Sequence, residues 1–355
     1  MLPEDRLDTS YHFYDGDGVT IQGPSLLVRR HVGEQLSVAG SYYVDSVSGA
    51  SIDAITTASP YSEQRTEYGL NVDYLNDSTL IGLSWSNSEE TDYSADTYGL
   101  SISQEVFAGM TTVSLGYVRG VDEVRRSDVE GFAEDIDRHS WRVGVTQVLT
   151  RSLIAELAFE TISDEGFLNN PYRQVRFRDA NAPGGFAWEP EVYPGTRTSN
   201  AVALRSRWHL PFRAALQANY RYFRDSWGIE GHTAEFGYTH GTLEHLTFDL
   251  GYRFHSQNGA DFYSDLFPFR AAQNFRARNK ELSPFTSHAA RVGLAWDFLR
   301  ERRSFVERAS LGVSYELIRF DYDDFRDVRT EAPAGEESLF GFDAHVVQTM
   351  LSVWF

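Results

Sequence analysis

The chain has 355 residues, with 32 Lys and Arg against 51 Asp and Glu, a formal net charge of -19, 14% aromatic residues and no cysteine. So acidic a balance lacks the clustered basic surface of a nucleic-acid binder, while 41% hydrophobic residues argue against disorder. Without Cys there is no disulfide, thiolate metal site or Cys nucleophile. The longest uncharged run, 106–118, contains Gly109 and Gly116 and falls short of the roughly 20 apolar residues of a helical membrane span.

In chain order, the opening Met1-Leu2-Pro3-Glu4-Asp5-Arg6 has neither a basic n-region nor an apolar h-region. The numbering therefore reads as that of a form without a signal peptide, organised as one domain over 1–355. Residues 9–14, closed by Asp15-Gly16-Asp17-Gly18, supply a first strand, and a second begins near Ser25. Alternating segments follow at 36–42, 68–74, 81–85, 98–102, 113–117, 141–145, 153–159, 202–210, 216–222, 236–238, 246–254, 292–298, 311–317 and 343–355. Tyr68-Gly69-Leu70-Asn71-Val72-Asp73-Tyr74 shows the pattern: apolar and polar side chains take turns, so each set occupies one face of a strand. The chain reads as all-β, with about 16 strands and 14 or 18 as alternatives.

Which face is wet decides the fold class. The apolar face carries aromatics such as Tyr42, Tyr74, Trp85, Tyr117, Phe159, Trp208, Tyr222, Tyr252 and Trp296, as in an interfacial girdle. Short turns are expected at 31–34, 76–77, 109–110, 150, 211–212, 241–244 and 299–304. Long polar segments are expected between them, at 46–65, 86–96, 120–137, 163–197, 256–286 and 322–341. Short periplasmic turns alternating with long extracellular loops describe a transmembrane antiparallel up-and-down β-barrel, whereas a soluble sandwich would carry suspiciously long structureless loops. The expected location is the outer membrane of a Gram-negative bacterium, with its lipids as surroundings. The last strand places Val347, Thr349, Leu351, Val353 and Phe355 on one face. Leu351, Val353 and Phe355 resemble the terminal signal read by the barrel-insertion machinery.

Parity then assigns the lumen. Arg142, Glu156, Glu160, Arg205, Arg207, Arg221, Asp249, Arg253, Arg291 and Asp297 point inward, either as an uneven field that steers charged solutes or as cross-strand pairs that fill the interior. In the loops, Asn169, Asn170, Tyr172, Arg173 and Arg176, together with Asp261, Tyr263 and Asp265, are expected to build a constriction or a docking surface, or else an ordered rim. Asp321, Asp323 and Asp324 offer hard oxygen ligands suited to calcium, but the spacing completes no EF-hand, and no metal or cofactor is expected. The ten His show no HExxH spacing, and no GxSxG elbow or P-loop occurs. The chain is read as non-enzymatic.

The strings at 2–6, 56–65, 122–126, 164–173, 190–200, 260–268, 279–284 and 320–327 carry a resemblance. Asp164-Glu165-Gly166-Phe167-Leu168-Asn169-Asn170-Pro171-Tyr172-Arg173 is one example. Together they resemble a Gram-negative outer-membrane barrel family catalogued only as a domain of unknown function. The resemblance implies a barrel often encoded beside a thioredoxin-like lipoprotein, a small lipoprotein and a flavin transferase. It transfers no catalytic residue. Two functions stay open: a narrow or gated porin-like pore for small charged solutes, or a scaffold holding a small or thioredoxin-like lipoprotein as redox partner.

Overall fold

The computed structural model describes residues 1–49, 61–299 and 305–355. The strands are β1 (Arg6–Gly16), β2 (Val19–Val32), β3 (Leu36–Gly49), β4 (Tyr61–Asn76), β5 (Thr79–Glu89), β6 (Tyr93–Val106), β7 (Thr111–Arg125), β8 (Ala133–Thr150) and β9 (Leu153–Gly166). A short pair follows, β10 (Gln174–Arg178) and β11 (Phe186–Pro190). Then come β12 (Thr196–Leu210), β13 (Ala214–Asp225), β14 (Glu230–Leu243), β15 (Leu246–Gln257), β16 (Phe285–Leu299), β17 (Arg308–Arg326) and β18 (Leu339–Trp354). All but β10 and β11 join in one closed antiparallel barrel of 16 strands, sealed where Arg6 of β1 faces Trp354 of β18.

The register shows which face meets which. Leu70 stands opposite Trp85, Leu83 opposite Leu100, Leu115 opposite Val143, and Val145 opposite Leu157. Further round, Leu204 faces Tyr220, Phe236 faces Tyr252, Leu250 faces Val292, and Leu294 faces Val313. Leu311 faces Leu351, and Leu26 faces Tyr42, which faces Tyr68 beside Leu70. The apolar set thus closes on itself without changing face. Leu70 and Leu250 are each 46% exposed and Leu204 is 54% exposed. A barrel whose outer surface is a continuous apolar belt is a transmembrane barrel, since only lipid accepts that area without cost. Tyr42, Tyr68, Trp85, Tyr98, Tyr117 and Trp141 edge the belt at one end, and Trp208, Phe212, Trp296 and Phe298 edge it at the other. This is the architecture of Gram-negative outer-membrane barrels.

The connections differ from expectation in one respect. At the short-turn end the fully described links are tight, as at Asp77, whose φ is 52°. Among the described connections at the other end, the segments after β9 and β15 are the longest, followed by 327–338. The expected loop 86–96 shrinks to 90–92 and 120–137 to 126–132, because β5 to β8 climb past the belt. Both strand faces are wet there, so the alternation fades while the backbone ladder continues, for example Tyr93 opposite Val124. Likewise β17 runs on to Arg326, with a register shift between Asp321 and Arg326. Asp17-Gly18, with φ of 52° and 70°, closes a two-residue hairpin between β1 and β2. Most of the expected loop 46–65, half of the 56–65 string and most of the expected turn 299–304 lie outside the described residues.

Candidate functional site: lumen wall and lid

The face opposite the belt lines the lumen, and its two halves differ. On β8, β9 and β12 to β17 the register places Arg142, Glu156, Glu160, Arg205, Arg207, Arg221, Asp249, Arg253, Arg291 and Asp297 on this face. Arg142 and Arg205 both reach Glu156, at 3.2 and 2.9 Å; Arg221 lies 3.8 Å from Glu160, and Arg253 lies 3.6 Å from Glu316. Thr239 donates to Asp249 at 2.5 Å, and Arg291 sits in register with Glu316. The charges therefore form an interleaved Arg–carboxylate ladder.

The inward face of β5 to β7 is rich in Gly and Ser, while β4 beside it carries Arg65, Glu67, Asn71 and Asp73 around Gly69. A Cβ added to Gly69 would lie 2.3 Å from Ser41 Oγ, one on Gly99 would lie 2.3 Å from Ser84 Oγ, and one on Gly144 would lie 2.5 Å from Ser114 Oγ. Each glycine leaves room for the serine beside it on the crowded concave side. Toward β1, His12 lies 2.6 Å from Asp45, which also accepts from the Tyr43 hydroxyl at 2.8 Å.

Over the long-loop end lies a lid. The loop after β9 carries the β10–β11 hairpin, and the loop after β15 threads beside it, through bridges Phe177–Phe267 and Val192–Arg276. Its dry interior includes Val175, Phe177 and Phe267 in one cluster, and Tyr193, Trp227, Phe262, Ala277 and Leu282 in another. Arg176 is 0% exposed. Its guanidinium bonds the Asp265 and Glu337 carboxylates and, through Nε, the Asp265 carbonyl at 2.9 Å. Arg278 bonds the same Asp265 at 3.0 Å, donates to the Arg326 carbonyl at 2.8 Å and lies 4.3 Å from the Phe325 ring centre. Two buried cations meeting two buried carboxylates leave the cluster neutral, which its burial requires.

Burial pushes the Glu337 carboxyl up, but the bonds from Arg176 and from backbone N–H groups outweigh it and hold Glu337 below the usual range. Burial, with Glu191 alongside, drives the Tyr193 hydroxyl well above its ordinary value. Burial, with Asp265 next, raises Tyr263 likewise.

The lid is tied to every described connection at its end of the barrel. Lys280, the only lysine, pairs with Asp17 of the β1–β2 turn. Tyr172 bonds Asp92 between β5 and β6, and accepts from Ser127 N–H between β7 and β8 at 3.1 Å. Asp261 N–H donates to the Trp227 carbonyl between β13 and β14 at 2.8 Å. Glu337 belongs to the β17–β18 connection. Asn169 braces the lid internally, its amide donating to Glu191 O at 3.0 Å and its oxygen accepting from Tyr193 N–H at 3.0 Å. Asn170 caps the turn at Tyr172 N–H, and Arg173 N–H closes it on Asn170 O. Gly228, at φ 87°, sits where a Cβ would strike the Asp261 carboxylate at 2.3 Å.

Of the residues expected to constrict or dock, Arg176 and Asp265 are buried ties within the lid and offer nothing to a partner's surface, and Tyr263 packs between two aromatic clusters. Arg278 and Glu337 are not legible in the sequence as partners of this cluster, because Glu337 stands 161 residues from Arg176 and no local pattern links them. The calcium candidates Asp321, Asp323 and Asp324 lie along the β17 extension, Asp321 pairs with Arg319 at 3.3 Å, and no group of three potential ligands converges among the described residues. In a strand, consecutive carboxylates point to opposite faces.

The chain is similar to solved outer-membrane proteins. A bacterial polysaccharide outer-membrane secretin superposes with a TM-score of 0.53 at 7% identity, covering 99% of this chain and 98% of that one. OmpT, an outer-membrane protein of Vibrio cholerae, gives 0.47 at 9% identity, covering 99% and 97%. The siderophore receptor PirA of Pseudomonas aeruginosa gives 0.46 at 11% identity, covering 99% of this chain, which spans 63% of that receptor's length. No curated protein matches the sequence. Residues 121–293, from β7 to β16 and including both long lid loops, match an uncharacterised family described as "Protein of unknown function (DUF3570)".

Proposed function

We propose that the protein is a non-enzymatic outer-membrane pore for small charged solutes, narrow at its outer mouth and gated there by the lid. One observation carries this reading: a lid bound to every described connection at one end stands over a lumen whose wall is an Arg–carboxylate ladder. Barrels of this strand number leave an aqueous channel unless something fills it, and a ladder of both signs passes charged species while discouraging neutral apolar ones. Asn169, Asn170, Tyr172, Arg173, Arg176, Asp261, Tyr263 and Asp265 then act as the frame of the constriction. Leu351, Val353 and Phe355 serve delivery to the barrel-insertion machinery. Planar-bilayer recording tests the proposal. Small or infrequent conductance steps are expected from the intact chain, and larger, longer ones after Arg176→Ala. Silence from both overturns it.

A second reading has its own support. The Gly- and Ser-rich stretch of the wall leaves lateral room in the lumen, which suits a scaffold holding an inserted segment of a lipoprotein or redox partner. A lipoprotein co-purifying in detergent, together with silent bilayers, favours that reading.

A further inference from the structure

The outer surface carries a repeated side-chain pair that the pore does not use. The Tyr220 hydroxyl is hydrogen-bonded to His232 Nδ1 at 2.7 Å, Tyr252 to His288 Nδ1 at 2.7 Å, and Tyr315 to His345 Nδ1 at 2.8 Å. The geometry is the same each time. The tyrosine sits on the rising strand (β13, β15 or β17) opposite Ala234, Ala290 or Val347. The histidine lies two residues nearer the lid end on the next strand. All six share the face of the apolar belt and stand at its lid-end edge. At the short-turn end the described residues show one Tyr–His pair, Tyr238 with His240, formed within a single strand.

In each pair the phenol occupies Nδ1, which leaves Nε2 on the far side of the ring for a further partner, as a donor where the phenol gives its proton to Nδ1. The rings are also braced: His232 by Tyr222 at 5.2 Å between centroids, and His288 by Phe254 at 5.1 Å. Just beyond them on the same face come Arg224 and Arg319, 68% and 66% exposed, with Arg319 directly opposite His288. Their carboxylate partners, Glu230 at 3.4 Å and Asp321 at 3.3 Å, are themselves about half exposed. Ion pairs so open to water exchange partners readily. Asp343 lies opposite Arg319 and Asp15 opposite His345, so the arc is not uniformly basic.

We propose that this arc, from β13 to β18, is a docking surface for phosphate-bearing lipid headgroups of the outer leaflet. Its height sets the occupant. At the edge of a belt that faces acyl chains, the first polar groups encountered are headgroups, and long loops mark this end as extracellular. Its chemistry sets the class. Three imidazole rings held at Nδ1, followed by forked guanidinium groups, match phosphate oxygens. The fourth pair, Tyr117 with His139 on β7 and β8, supplies an internal comparison, because His139 Nε2 already faces Asp137 at 3.2 Å.

The test uses the purified full chain in a neutral detergent, titrated with diphosphoryl lipid A and with the same lipid enzymatically dephosphorylated. At least tenfold tighter binding of the phosphorylated form is expected. The variant His232→Gln, His288→Gln, His345→Gln, Arg224→Gln and Arg319→Gln should lose that preference while keeping heat-modifiable gel mobility, whereas His139→Gln should keep it. Equal binding of the two lipids by the intact chain overturns the proposal without recourse to any variant. An undiminished preference in the folded multiple variant also overturns it. Competition by millimolar inorganic phosphate would show a free-anion site instead, and would overturn the assignment to lipid.

Discussion

The wall and the lid bury side chains in opposite senses. In the wall, leucine and valine turn outward to lipid while Arg142, Glu156 and Arg205 stay inside among water. In the lid, Val175, Phe177 and Phe267 turn inward to one another, and a pair of arginines goes in with them. The wall tolerates charge because its lumen is wet, so its ion pairs are exposed and individually weak. The lid tolerates charge because Arg176, Arg278, Asp265 and Glu337 neutralise one another at close range, so each of its pairs matters far more.

That contrast can be broken most severely at Arg176. Arg176→Ala leaves Asp265 and Glu337 short of a buried partner, and should destabilise the lid by about 3–5 kcal/mol. Limited proteolysis should then cut within 167–195 or 258–284 while the barrel keeps its heat-modifiable mobility. Loss of the folded barrel as well would mean that lid and wall are one cooperative unit.

On the wall, Leu204→Arg places a charge on the lipid face and should cost about 2–4 kcal/mol near the midplane, read as a shift in urea unfolding from vesicles. Its neighbour Arg205→Leu, on the wet face, should cost far less. On the smooth half of the lumen, Gly99→Val pushes a side chain into Ser84 and should cost about 1–3 kcal/mol, whereas Ser84→Gly should be mild.

The pH response separates the regions again. Glu337 is held below the ordinary carboxylate value of 4.5, so its contribution is complete above that pH and is lost as acid carries the pH down through its folded value. Tyr193 is raised above 10.0, so its contribution is complete below pH 10 and fades as alkali drives the hydroxyl toward ionisation. Lid protection against protease should therefore fall at both extremes while the barrel's circular dichroism stays flat. The smallest effect is expected from Arg205→Gln. It removes an exposed pair worth about 0–1 kcal/mol and should leave stability unchanged while tilting conductance toward cations.

The same contrast governs what the sequence could reveal. Tyr68 to Tyr74 and the segment 246–254 announce their faces because one side of each strand meets lipid, which enforces a period of two. The closed 16-strand count followed from that. Above the belt the constraint lapses, so the continuation of β5 to β8 looks like loop in the sequence. The lid has no period at all. Asn169 and Tyr172 could be singled out as a conspicuous loop, but the meeting of Arg176 with Asp265 and Glu337 depends on three distant segments folding together. The Tyr–His arc was hidden differently. Tyr220, Tyr252, Tyr315 and His345 sit in anticipated segments, whereas His232 and His288 lie on lid-end extensions beyond 236–238 and 292–298, and the diagonal between partners becomes visible only with the register.

The absence of cysteine makes the central claim directly measurable. Single cysteines at consecutive positions from Val202 to Arg207 can be labelled with a fluorophore in vesicles and exposed in turn to brominated acyl chains and to aqueous iodide. The account predicts that labels at Val202 and Leu204 are quenched by brominated lipid, and those at Ala203, Arg205 and Arg207 by iodide, switching with every residue. Uniform quenching along the segment, or lipid quenching at Arg205 with iodide quenching at Leu204, would contradict it.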